Sequence, residues 1–393
     1  MFEHIVLRKS ESGNPITAGQ LAEAMLYYQK VHLIIDQGTL RNLFQQLGSE
    51  NLISTLQRSD VSAVYCEEIL ATHTESVGVM KFHHFSAIQM YAEPDGRRLS
   101  SEERLWTDLV RSGVEKTVAK KFAIKFLRLV PTRKFSGDRF VKGGIPKLAS
   151  EDLRDESYVE KAIQLILHKV EGAPKNIDQL RFEIVNLEQG DIVFTNIDFD
   201  EINRRRSRCI PSLDNLSVAH LLTELLIARA DIVLASHYGG DFITSSAVSS
   251  IIQFKHAEIL RRSGLNLESK QNFEEVVLPE MPRLSDVIDS GGRTFTEFLV
   301  LLDRAMKFKE WLKSTNPDEN LVSAYLQEVS RNGWLEQLPA KGLRYLMTTG
   351  IGLLSTPVGI IASAADSFIV EKLLSGWRPN HFVSSKLIPF LNR

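Results

Sequence analysis

The helical pattern over Asp214–Tyr238 carries His220, Glu224 and Asp231 at i, i+4 and i+11. On a helical wheel these three fall within about 40° of one another, opposite Leu222, Leu225, Leu226, Ile232 and Val233. Imidazole and carboxylate on one stripe can ligate a divalent metal or act as an acid and base pair. The HExxH spacing is absent and a catalytic zinc site takes three protein ligands, so His256 on the next helical pattern would have to approach. The plainer expectation for the same residues is a solvated helix face with an i,i+4 pair.

Three other clusters admit chemistry. Asp198, Asp200 and Glu201 end a strand pattern, where carboxylates can hold magnesium, but Asp200 with Glu201 behind it also reads as a helix N-cap. Gly239 and Gly240 precede Thr244, Ser245 and Ser246, which suits a glycine-capped helix corner, since the phosphate-loop pattern GxxxxGK[ST] is missing. Cys66 and Cys209 stand far apart without CxxC spacing, which predicts two buried thiols in a reducing compartment. Neither GxSxG nor a GxGxxG after a strand is present, and no cofactor is expected.

The most distinctive stretch is basic. Between Arg111 and Lys147 there are eleven Lys/Arg against Glu115 and Asp138, about +9 locally in a chain whose net charge is -2. Val118, Phe122, Phe126, Leu129 and Val130 share one side of a helical wheel, while Lys120, Lys121, Lys125 and Arg128 lie on the other. Arg133, Lys134, Arg139, Lys142 and Lys147 follow with Phe135 and Phe140 interleaved, and Arg204, Arg205 and Arg206 form a second basic run. Such a set can neutralise phosphates of a nucleic acid, with aromatics to stack on unpaired bases, or meet anionic lipid headgroups while the apolar face enters the interface. It can also be a core helix with solvated lysines that neutralise an acidic neighbour.

The elements that must position these residues divide the 393-residue chain into three expected parts. Residues 1–95 read as an α/β unit with a small, partly parallel sheet: a strand at Phe2–Leu7, a helix opened by a Thr17–Gln20 capping box, a strand at VHLIID, two short helices, a strand at VSAVYC and an extended VGVMKFHHFSAIQM. Residues 100–265 read as a basic helical domain carrying a β-hairpin at 181–198, and 283–393 as a helical C-terminal domain with an apolar helical hairpin at 343–374. The expected class is therefore α+β, mainly helical. Leu346–Ala365 lacks any charge over twenty residues, but its three glycines and Pro357 favour buried hairpin packing over a lipid-facing span. The N-terminus has no signal-peptide run, which places the chain in the cytoplasm, with peripheral membrane attachment admitted.

The function expected from these features is non-enzymatic: an adaptor that docks a basic amphipathic helix on an anionic partner. That partner would be a nucleic acid, an anionic membrane surface or another protein, with self-association admitted. The alternatives are a metal-dependent hydrolase or nuclease using His220, Glu224 and Asp231, and a membrane-perturbing effector acting through the C-terminal apolar segment.

Overall fold

The computed structural model describes residues 2–8, 15–89, 99–174, 176–209, 215–242, 268–315, 321, 322, 324, 325 and 377–392. Among them the strands are β1 (His4–Leu7), β2 (Lys30–Ile35), β3 (Val61–Cys66), β4 (Glu68–Val77), β5 (Met80–Gln89), β6 (Thr132–Arg133), β7 (Phe182–Leu187), β8 (Gly190–Thr195) and β9 (Asp241–Phe242). The fold is mainly helical α+β, with one small parallel sheet in the order β6-β3-β2-β1-β9 and an antiparallel sheet in the order β4-β5-β8-β7.

The parallel sheet is buried on both faces, which explains why its strands read as nearly continuous apolar runs. Ile5, Leu7, Val31, Leu33, Ile35, Val61 and Tyr65 point into one core, shared with α1 (Ala18–Tyr27), α2 (Gln37–Leu56), α3 (Ser101–Arg111) and α4 (Lys116–Leu129). The same core takes in Phe273 and Val277 of α9 (268–277), then α10 (Leu284–Asp289), α11 (Phe295–Arg304), α12 (Met306–Ser314) and the terminal turns Pro379–Phe382 and Ile388–Leu391. The alternate strand residues Val6, Ile34, Val64 and Cys66 face a second core with Phe135, Phe140, α5 (Ile145–Asp152) and the second half of α8 (Val218–Tyr238). A third core packs α6 (Glu156–Leu167), α7 (Phe199–Cys209) and the first half of α8 against β7 of the antiparallel sheet.

Local sequence signals predict many of the element ends. Thr17 and Gln20 form the expected capping box, α2 breaks at Gly48 (φ +73°) into two short helices, and Gly239 closes α8 in the left-handed conformation. The hairpin at 181–198 is β7 and β8.

Two expectations are corrected, the cap of α7 and the burial of Cys209, and two further features of the packing lie beside them. Contacts cross the expected boundaries at 95–100 and 265–283: β6 and β9 pair into the N-terminal sheet, β5 pairs with β8, and α9 to α12 share a core with the N-terminal elements. EILATHTESV is a full strand, β4, fixed by ten cross-strand pairs to β5 that its polar composition does not announce. The cap of α7 is Asp198, whose carboxylate accepts the Glu201 N–H at 2.9 Å, because Asp200 is already inside the helix. Cys209 is exposed, whereas Cys66 is buried and its thiol is pushed up to about 12 by desolvation. The expected helix at 246–262, His256 and the apolar hairpin at 343–374 lie outside the described residues, among which no helix is long and apolar enough to cross a membrane.

Candidate anion-binding surface

Two small residues and two phenylalanines seat α4. Ala119, Phe122, Ala123 and Phe126 are its buried positions, with Phe122 2% and Phe126 0% exposed. The Phe122 ring meets Phe44 of α2 edge-on at 4.8 Å and Phe126 meets Tyr65 of β3 at 5.5 Å, so aromatic pairs lock the helix between its neighbours. Val118 (41%) and Leu129 (36%) are left partly exposed, which rotates the buried stripe away from the one the wheel predicts. Lys121, Lys125 and Arg128 consequently occupy the centre of the solvent face. Lys120 turns back: its Nζ sits 4.9 Å from the Trp106 ring centroid of α3, beside Lys116 at 5.6 Å.

From α4 the chain passes through β6, an edge strand of the parallel sheet, and crosses to the opposite face. Phe135 and Phe140 are buried there, and their rings lie 6.1 Å apart in the second core. Glu68 clamps the crossing, accepting the Ser136 N–H at 2.9 Å and the Ser136 hydroxyl at 2.6 Å. Asp138 accepts the Gly143 N–H at 2.7 Å, and Phe135 O accepts Ile145 N–H at 2.8 Å. Gly144 (φ +84°) is required because a Cβ would lie 2.5 Å from Ser136 O. Lys134, Arg139, Lys142 and Lys147 project from this fastened loop as exposed side chains, while Arg133 is half-buried and donates to Thr132 O at 3.0 Å.

None of Lys121, Lys125, Arg128, Lys134, Arg139, Lys142 or Lys147 forms an ion pair with a described carboxylate. The second basic run differs. Arg204 and Arg205 both pair with Glu201 at 2.8 Å on α7, and the Arg205 hydrogen bond and then the Arg204 charge hold the Glu201 carboxyl below its ordinary range. Arg206 is also engaged within the fold, so the triplet does not extend the unpaired set.

The His/Glu/Asp stripe is divided among separate environments. His220 is exposed and pairs through Nδ1 with Ser217 Oγ, the cap of α8, at 2.8 Å. Asp231 is buried and accepts from Arg8 at the end of β1, with Nε at 2.8 Å and Nη2 at 2.7 Å. Glu224 lies in the field of that pair; burial and then the Asp231 charge raise its carboxyl to about 7, against the opposing effect of Arg8, and Oε2 has no hydrogen-bond partner. The stripe is therefore not a solvated face. Among the described residues no group of three or more His, Cys, Asp or Glu side chains converges as a metal cage.

In open α/β sheets, anions often bind at the helix N-terminus after the first strand. Here Ala18 N–H donates to Gln46 Oε1 at 2.7 Å, Gly19 N–H to Asp289 Oδ1 at 2.8 Å and Gln20 N–H to Thr17 Oγ1 at 3.1 Å. The amides that would hold a phosphate are consumed by the protein's own side chains. Trp377 and Phe382 also pack in the first core, where Phe382 stacks on Phe308 at 5.0 Å. In comparisons with known proteins, no family model matches the chain, and no curated protein or solved structure matches it.

Proposed function

We propose that the protein docks on a polyanionic partner through the cations of α4, with those of the Lys134–Lys147 loop that follows it in the chain adding to the positive field. The observation that carries this reading is that seven exposed cations in one continuous stretch of sequence form no ion pair with a described carboxylate, in a chain with a net charge of only -2. Lysines and arginines of like charge repel one another, and that repulsion is relieved when phosphates or other anions replace mobile counterions. The helix is locked by its phenylalanines and the loop by Glu68, so the charges are held ready and little ordering is needed on binding.

The hydrolase and effector readings have less support. His220 is engaged by Ser217 and Asp231 by Arg8, and the C-terminal apolar segment lies outside the described residues.

A heparin column at neutral pH tests the docking reading with a defined polyanion. The wild-type chain should be retained despite its negative net charge and elute with salt, and the variant Lys121→Glu/Lys125→Glu/Arg128→Glu should flow through. Equal retention of both proteins, or of neither, would overturn the proposal.

A further inference from the structure

Resting on that reading, we infer that the polyanion is the phosphate backbone of a nucleic-acid duplex, bound without base recognition. Single strands gain much of their affinity by stacking bases on aromatic side chains. All four phenylalanines of the basic segment are withdrawn from this use: Phe122 and Phe126 lie in the first core, Phe135 and Phe140 in the second. Trp106 beside α4 is covered by Lys116 and Lys120. The segment therefore offers charge without a stacking platform.

The same burial decides against a lipid surface. An interfacial helix holds its place by sinking its apolar face among the acyl chains. The phenylalanines of α4 are already committed to Phe44 and Tyr65, and extracting them would dismantle the first core.

The helix α4 is rigid, with cations spaced along it, and a duplex is its natural counterpart. Lys121 and Lys125 are separated by one turn, about 6 Å along the axis, and Arg128 follows by about 4.5 Å. A duplex presents a similarly fixed row, with one charge per about 3.4 Å of axis on each strand. Base reading relies on Asn or Gln for adenine and on bidentate Arg for guanine. The segment from Arg111 to Lys147 contains no Asn or Gln, and five of the seven cations, all but Arg128 and Arg139, are lysines, which act as point charges on phosphate.

Fluorescence anisotropy of the full chain tests this, using a labelled mixed-sequence duplex and its single strand, with flotation on phosphatidylserine vesicles in parallel. The duplex should bind at least tenfold tighter than the strand, equally for unrelated sequences. Its affinity should fall with salt on a log-log slope no steeper than about -6, since each phosphate contact contributes about -0.9. The triple Glu variant should lose binding, and Lys125→Gln alone should flatten the slope by about one. Arg204→Glu/Arg205→Glu should leave binding unchanged. Thermal melts at the wild-type temperature would show that these surface variants remain folded. Tighter binding to the strand, or flotation that the triple variant abolishes, would overturn the duplex assignment while leaving polyanion docking standing. Retention on heparin without any duplex binding would do the same, and failure on heparin would remove both.

Discussion

The two arginine- and lysine-rich runs of this protein look alike in composition and differ in what surrounds them. On α7, Glu201 lies three residues before Arg204 and four before Arg205, so one carboxylate meets both guanidinium groups on the helix surface. On α4 no acid stands at those spacings among the outward residues, and Lys121, Lys125 and Arg128 form no ion pair with a described carboxylate. A basic run is thus a binding candidate only after its local carboxylates have been subtracted. The same contrast recurs inside α8, where Asp231 has Arg8 and Glu224, seven residues earlier, leaves an oxygen unpartnered.

The comparison breaks most severely if α4 loses its seat. Phe126→Ala should destabilise the protein by about 3–5 kcal/mol through the cavity left between α4 and β3, read as a lower urea midpoint. Leu129→Ala, partly exposed on the same helix, should cost far less. Equal effects would mean that the helix is not held by its aromatic face.

The contrast within α8 gives a smaller, pH-dependent effect. Because the folded-state carboxyl of Glu224 is raised to about 7, its protonated form stabilises the fold, and this contribution is present below the ordinary glutamate range. It is lost as pH rises through about 7, on the order of 2–3 kcal/mol. Glu224→Gln should therefore be more stable than wild type at pH 8 and should lack this decline between pH 5 and pH 8 in denaturant titrations. A wild-type protein that gains stability over that interval, with the variant tracking it, would show that Glu224 is not the titrating group.

The smallest effect exchanges the character of the two surface runs. Glu201→Gln should release Arg204 and Arg205 and delay heparin elution slightly. Thr117→Glu places a carboxylate four residues before Lys121 and should hasten elution by a comparable amount. Elution that ignores both changes would show that local pairing does not control access to these cations.

Much of the frame was legible from local chemistry. The capping box at Thr17, the break at Gly48, the closing Gly239 and the β7–β8 hairpin each depend on residues close in sequence. The β4 strand was not, because its alternation of Thr, His and Glu derives its structure from β5 and from Thr223 of α8, whose hydroxyl accepts Thr72 N–H at 3.1 Å. The candidate segment was visible as charge, but which of its residues were usable was not. Aromatics that composition offers for stacking turned out to be ballast for two separate cores, and Lys120 was diverted to Trp106.

The amino-acid sequence by itself determined the density of positive charge between Arg111 and Lys147, the amphipathic character of α4 and the ends of several elements, since these follow from residue type and short-range spacing. Tertiary structure alone decided the exact rotation of α4, the closure of the α1 N-terminus by Asp289, the pairing of Asp231 with Arg8 and the burial of Phe135 and Phe140. Each of those outcomes joins residues distant in the chain or sets one face of an element against a neighbour, and packing, rather than local preference, selects among the arrangements that the sequence allows.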